Sequence, residues 1–198
     1  RMQADLPFTS SLLPKAFEFD AIGYACTSGA TIIGEEQVAQ LILAQHPHAK
    51  VSNPLSACKV ACAALKIQKI ALLTPYSPEV TQSLSDNLCA SGIEITHTGY
   101  FDIADDFEVG RVDSASIYNA IIALGEHKEC EGVFVSCTSL RVANIILKAE
   151  KHLALMGAHR PEKGATAYQA LCCTMDFIGG MTDNYAVDLT RQLSGEMK

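Results

Sequence analysis

The tripeptide Cys-Thr-Ser occurs twice in the chain, as Cys26-Thr27-Ser28 and as Cys137-Thr138-Ser139. Each copy stands where a strand-like apolar run stops, 21–25 in one case and 132–136 in the other, and a helix-like pattern follows. A strand feeding a helix is the repeating unit of open α/β folds. At the strand's carboxyl end, unpaired backbone N–H groups and the positive end of the helix dipole face a crevice that favours anions. A thiol in each of two such turns sets two potential proton donors or nucleophiles before one carboxylate pocket. Such a site needs neither metal nor cofactor.

Hydrophobic periodicity extends the same alternation along the chain. The stretch 5–19 is ambiguous, being interrupted by Pro7 and Pro14. A short buried strand is expected over 20–25, and a helix over 31–45, where Ile33, Val38, Leu41 and Ile42 recur at helical spacing. Pro54–Leu65 reads as a second helix capped by Ser52 or Asn53. Lys69–Thr74 reads as a buried strand closed by Pro75-Tyr76, and Ser77 then caps a helix over Pro78–Ala90 that stops before Gly92. A strand over 93–98, an irregular or short helical link over 102–112, a helix over Ser114–Gly125 capped by Asp113, a strand over 132–136 and a helix over 140–152 complete the pattern. This order predicts an α/β fold, a parallel sheet with crossover helices on both faces. Both Cys-Thr-Ser turns and the Pro75-Tyr76 turn then fall on one edge of that sheet.

Composition bounds the partners. A net charge of −7 disfavours nucleic acid and anionic membrane surfaces. No apolar run approaches the roughly 20 residues of a membrane span, and the start at Arg1 shows no signal-peptide layout, so the expected location is cytoplasmic. The eight cysteines include no Cys-x-x-Cys pair, and His46, His48, His97, His127, His152 and His159 follow no ligand spacing along the chain. No metal site is therefore expected. Cys58, Cys62, Cys89 and Cys130 read as small core residues.

Four ordered motifs carry a family resemblance: Ala25-Cys26-Thr27-Ser28-Gly29, Leu73-Thr74-Pro75-Tyr76, Gly110-Arg111-Val112-Asp113, and Val135-Ser136-Cys137-Thr138-Ser139-Leu140-Arg141. Over about residues 5–153 the chain resembles the maleate cis-trans isomerase and arylmalonate decarboxylase family of the aspartate/glutamate racemase superfamily. The resemblance implies flavodoxin-like α/β lobes with one cysteine from each lobe meeting in a cleft. It implies Cys26 as nucleophile or base and Cys137 as acid or second base. Thr27, Ser28, Tyr76, Thr138 and Ser139 are implied to bind carboxylate oxygens, with Arg141 a further substrate contact. The decarboxylases of the family keep only the second cysteine, so two cysteines favour a cofactor-independent isomerase or racemase acting on a small carboxylate, with a maleate-like dicarboxylate preferred. A decarboxylase, a member of the ectoine-breakdown branch and an inactive carboxylate-binding fragment are the alternatives. A homo-oligomer is a possible state of assembly.

The family's first strand, which supplies a polar substrate-binding residue, and its last strand with a Ser-Asn turn are not found in this chain, by this reading. Residues 154–198 are expected to form a separate linker and helical tail, bounded near 153–165. From about residue 165 the tail resembles the C-terminal segment of HD-type deoxynucleotide triphosphohydrolases, without their metal-binding His-Asp core, so no activity is carried over from it.

Overall fold

A computed structural model describes residues 1–16 and 18–149 of the chain. In chain order the elements are α1 (Met2–Ser11), β1 (Ala21–Gly23), α2 (Thr27–Ile33), α3 (Glu35–Leu43), β2 (Lys50–Ser52), α4 (Pro54–Leu65), β3 (Lys69–Thr74), α5 (Pro78–Ala90), β4 (Glu94–Tyr100), α6 (Asp106–Val109), α7 (Ser114–Gly125) and β5 (Gly132–Val135). Every strand pairing is parallel: β1 with β2 in one sheet, and β4-β3-β5 in the other. The α/β expectation holds.

β3 is the central strand, and its side chains build both layers. Alternating residues point to opposite faces of a strand, so Ile70 and Leu72 meet Leu55, Cys58 and Cys62 of α4 and Leu84 and Leu88 of α5. Leu73 points the other way, toward Ile117, Ile121 and Ile122 of α7 and toward Leu140, Val142 and Ile145. Each of these side chains is buried, and full burial of one Leu or Ile contributes about 1.5–3 kcal/mol. The smaller sheet has its own cluster, with Leu6 of α1 against Val38 and Ile42 of α3 and with Ile22 and Val51 at its edge.

Local signals start the helices where the sequence placed them. Asn53 accepts from the N–H groups of Leu55 and Ser56 while Ser56 Oγ accepts from the Asn53 N–H, a reciprocal cap ahead of α4. Ser77 Oγ accepts from Val80 N–H ahead of α5, and Asp113 from Ala115 and Ser116 ahead of α7. Between α3 and α4, a Lys59–Glu35 ion pair joins two partly buried side chains.

Five expectations are corrected. The strands form two sheets rather than one, so the turn after β1 does not share a sheet edge with those after β3 and β5. The run 31–45 is two helices, because Gly34 takes a φ of +96° that glycine adopts without steric cost. The first of them starts at Thr27, directly after Cys26. β1 is shorter than 20–25 and is exposed or half-buried, since it lies in the small sheet with β2, a three-residue strand too brief to leave a periodic signal. The helix expected from Leu140 is delayed: turns and bends follow Cys137, and the first i to i+4 bond runs from Ile146 N–H to Val142 C=O. Cys89 is exposed rather than in the core, because α5 buries Thr81, Leu84 and Leu88, and Cys89 stands about 100° further round the helix. The boundary near 153–165, the tail after it and the last residues of the 140–152 helix lie outside the described residues. Among those described, no helix is long and apolar enough to cross a membrane.

Candidate active site

Cys26 is the N-cap of α2, with an extended backbone at φ −135° and ψ 107°. Its sulfur takes the place that a Ser or Asp oxygen usually fills and accepts a hydrogen bond from Gly29 N–H at 3.3 Å. Ser28 Oγ is 3.6 Å from the same sulfur. Gly29 matters for its missing side chain. A Cβ there would stand 2.3 Å from Tyr24 Oη, 3.0 Å from Cys26 Sγ and 3.1 Å from Met2 Sδ. The Tyr24 phenol, which donates to Met2 Sδ at 2.9 Å, is pushed up to about 12 by burial and by the neighbouring Cys26 sulfur.

Cys137 sits beyond β5 in a different setting. It is buried, and its φ of +102° lies in a region that only glycine occupies freely. Strain of this kind costs of order 1–3 kcal/mol and tends to gather at functional sites. A helix pattern was expected directly after each cysteine turn; none begins at Cys137. Burial pushes its thiol up, against the opposing pull of hydrogen bonds from Ser139 N–H, the Tyr76 phenol and the Ser139 hydroxyl.

The two turns meet. Thr138 Oγ1 donates to the carbonyl of Ala25 at 3.3 Å across 113 positions of sequence. Tyr76 lies between them, its phenol held protonated chiefly by burial and then by the Cys137 sulfur, with the Ser136 and Thr27 hydroxyls beside it. Among the described residues neither of those hydroxyls makes a hydrogen bond of ordinary geometry, although Thr27 Oγ1 and Ser136 Oγ are both buried. A buried hydroxyl left unsatisfied costs roughly 1–3 kcal/mol, so two facing the same phenol mark a place suited to a ligand's oxygens. The Tyr76 turn itself is rigid. Thr74 Oγ1 accepts from Tyr76 N–H at 3.2 Å and bonds Thr81 Oγ1 at 2.7 Å, while Pro75 C=O accepts from Ile103 N–H at 2.7 Å.

Of the residues singled out in the sequence, Cys26, Thr27, Ser28, Tyr76, Cys137, Thr138 and Ser139 are thus drawn to one place. Arg141 is turned elsewhere: it is exposed and donates to the Val112 carbonyl at 3.3 Å, tying the segment after Cys137 to the loop ahead of α7. Tyr24, Gly29 and Ser136 were not singled out. Their signal was only adjacency to the two tripeptides, and their roles emerge from contacts across the turn.

An open hollow of about 550 Å³ nearby is lined by Asp102, Ile103, Asp105, Glu108, Arg111 and Val112, among others. Its carboxylates outnumber its one guanidinium, which already pairs with Glu108 at 2.7 Å, so it repels an anionic ligand. The cysteine turns instead offer hydroxyls and backbone N–H groups around two sulfurs, a set suited to carboxylate oxygens.

Residues 34–173 match the family model described as arylmalonate decarboxylase. A maleate isomerase of Geobacillus stearothermophilus is 27% identical over 143 residues, which is 69% of this chain and 57% of that protein. The maleate isomerase Iso of Pseudomonas putida S16, in a variant with maleate, superposes with a TM-score of 0.70 at 20% identity, over 78% of this chain and 64% of that one. A Nocardia farcinica maleate cis-trans isomerase variant superposes with a TM-score of 0.70 at 23% identity, over 79% and 69%. The chain therefore spans a little over half the length of the Geobacillus relative. With the family model covering more than half of its residues, and with its fold shared by these enzymes, the chain belongs to the arylmalonate decarboxylase family.

Proposed function

We propose that this protein is a cofactor-independent cis-trans isomerase of a small dicarboxylate of the maleate kind, with Cys26 as nucleophile and Cys137 as proton donor. The observation that carries this reading is the unlike setting of the two sulfurs. Cys26 is half-buried, at a helix start, and its sulfur accepts the Gly29 N–H. Cys137 is buried and its thiol is held protonated. A racemase also uses one thiolate and one thiol in each turnover, but exchanges their roles for the opposite enantiomer. Addition to a double bond keeps one sulfur as nucleophile and the other as proton donor, which two unlike settings suit.

The cycle follows from that asymmetry. The Cys26 thiolate adds to one alkene carbon, forming a C–S bond and moving the π electrons toward the adjacent carboxylate. The Cys137 thiol gives its proton to the other carbon, leaving a single bond that rotates. Return of a proton from that carbon to Cys137 and loss of the Cys26 thiolate release the trans diacid. The Thr27, Ser28, Ser139 and Tyr76 hydroxyls donate to carboxylate oxygens while charge gathers there, Thr138 meanwhile holding the two turns together through the Ala25 carbonyl, and losing one such donor costs about 3 kcal/mol in the barrier. The Nocardia farcinica enzyme, described as a cysteine-to-serine variant with a covalently bound succinylcysteine intermediate, supports the addition step.

The test is incubation of the reduced chain with maleate in deuterated buffer, followed by proton NMR. Fumarate forms with the parent and is lost in both Cys26→Ala and Cys137→Ala. A Cys26→Ala variant that still isomerises overturns the assignment of the nucleophile. A folded parent chain without turnover overturns the reading as a whole. Decarboxylation of an arylmalonate that survives in Cys26→Ala would instead place the chain among the decarboxylases, for which Cys137 alone suffices.

A further inference from the structure

Three residues from separate parts of the sequence converge on the face of the sheet covered by α7. His97 is on β4, and His127 and Glu129 are in the connection from α7 to β5. The His97 and His127 rings lie parallel, 3.5 Å between centroids and 8° between planes. Glu129 Oε1 is 3.7 Å from His97 Nε2. One ligand atom from each of the three falls within 4.8 Å of the others. An ion shared by both imidazoles must lie in the plane of each ring, at the roughly 2.0–2.2 Å at which Zn²⁺ holds imidazole nitrogen and carboxylate oxygen, so binding turns the exposed His127 ring out of its stack on His97.

The backbone is shaped to produce this meeting. The β3–β4 register slips between Ile70 and Ala71, which pair with Ile95 and His97, so Thr96 is an extra residue in β4. Without that bulge, His97 would share the face of Ile95, which packs against α4 and α5. With it, His97 lies opposite Ala71 and turns to the face of Leu73 and α7, where His127 follows the helix end. A bulge that re-aims one side chain is a recurrent device beside functional sites. Once turned, His97 carries a buried Nδ1 with no hydrogen-bond partner among the described residues.

We propose that His97, His127 and Glu129 form a site for a divalent transition metal of the zinc class, which pins the α7–β5 connection to β4. Two imidazoles and one carboxylate are the donor set that such ions favour, and the exposure of His127 and Glu129 leaves a further position for water. The site stands apart from Cys26 and Cys137. His127 and Glu129 lie ahead of β5, whereas Cys137 lies beyond its other end, so the isomerase reading makes no demand on this ion.

The full chain, with its thiols kept reduced by a phosphine, is titrated with Co²⁺ and followed by visible absorption and thermal melting. One equivalent binds, weak d–d bands appear without the near-ultraviolet band of thiolate ligation, and the melting temperature climbs with Co²⁺ concentration. His127→Gln alters only an exposed side chain and weakens binding by at least about tenfold, since loss of an outer-sphere partner alone already does so. His97→Gln does the same if it folds. Unchanged affinity in His127→Gln, a thiolate charge-transfer band, or no binding by the folded parent overturns the proposal.

Discussion

Gly29→Ala separates the positioning of the Cys26 sulfur from the stability of the fold. The new Cβ would lie 2.3 Å from Tyr24 Oη, 3.0 Å from Cys26 Sγ and 3.1 Å from Met2 Sδ, where ordinary contact starts at 3.4 Å. The phenol and the thioether are ends of long side chains and retreat by roughly 1 Å or less at little cost in lost contacts. The Cys26 sulfur has less room, because the residue that carries the new methyl also donates its N–H to that sulfur. It is displaced by a few tenths of an ångström, and that hydrogen bond lengthens. Alanine meanwhile favours the helix by about 0.8–1 kcal/mol over glycine, so the strain and the propensity largely cancel in the folding free energy. A misplacement of 1 Å at a reacting group can cost a factor of about 100, so a shift of a few tenths should lower kcat/KM about tenfold. The assay pairs a denaturant melt with the rate of Cys26 alkylation by iodoacetamide, a readout that needs no substrate. The expected result is a stability change within about 1 kcal/mol together with slower alkylation and slower isomerisation. Equal stability with unchanged alkylation would refute the argument that Gly29 sets the position of the sulfur.

Cys137→Gly should be no less stable than Cys137→Ala, and more stable by about 1 kcal/mol, because glycine adopts φ +102° freely and alanine does not. Paired urea melts check this, and a more stable alanine variant would remove the case for strain at this turn. The pH dependence of stability follows from the raised thiol. The folded chain holds the Cys137 proton more tightly than the unfolded chain, so this contribution is complete below the ordinary thiol value of 9.0 and is lost as pH rises through the higher folded value. Unfolding free energy should fall above about pH 9 and fall less steeply in Cys137→Ala; parallel slopes would show that the thiol is not held protonated. Comparing these two chains also cancels Cys62, which its hydrogen bond with Cys58 shifts the opposite way.

Elements with strong local signals were legible in the sequence. β3 and α4, α5 and α7 stand at the expected residues, because an unbroken apolar run and well-placed Asn53, Ser77 and Asp113 caps depend only on near neighbours. The likeness of the two Cys-Thr-Ser turns was equally visible, but their difference was not. Local pattern shows a strand end followed by helical periodicity at both, whereas packing starts a helix at once after Cys26 and bends Cys137 into a strained turn. Arg141 shows the same limit, since a motif position does not say that the Val112 carbonyl holds its guanidinium.

The sequence by itself therefore determined the parallel α/β class, the central strand, the capped helices and the identity of the residues in the two cysteine turns. These rest on periodicity, capping and residue chemistry, which act over a few neighbouring positions. The tertiary structure alone decided that Thr138 bonds Ala25, that Tyr76 stands beside both turns, that the Cys137 thiol stays protonated, and that a bulge at Thr96 swings His97 toward His127. Each of these depends on burial or on contacts between residues far apart in the chain, and such terms exist only once the layers have packed.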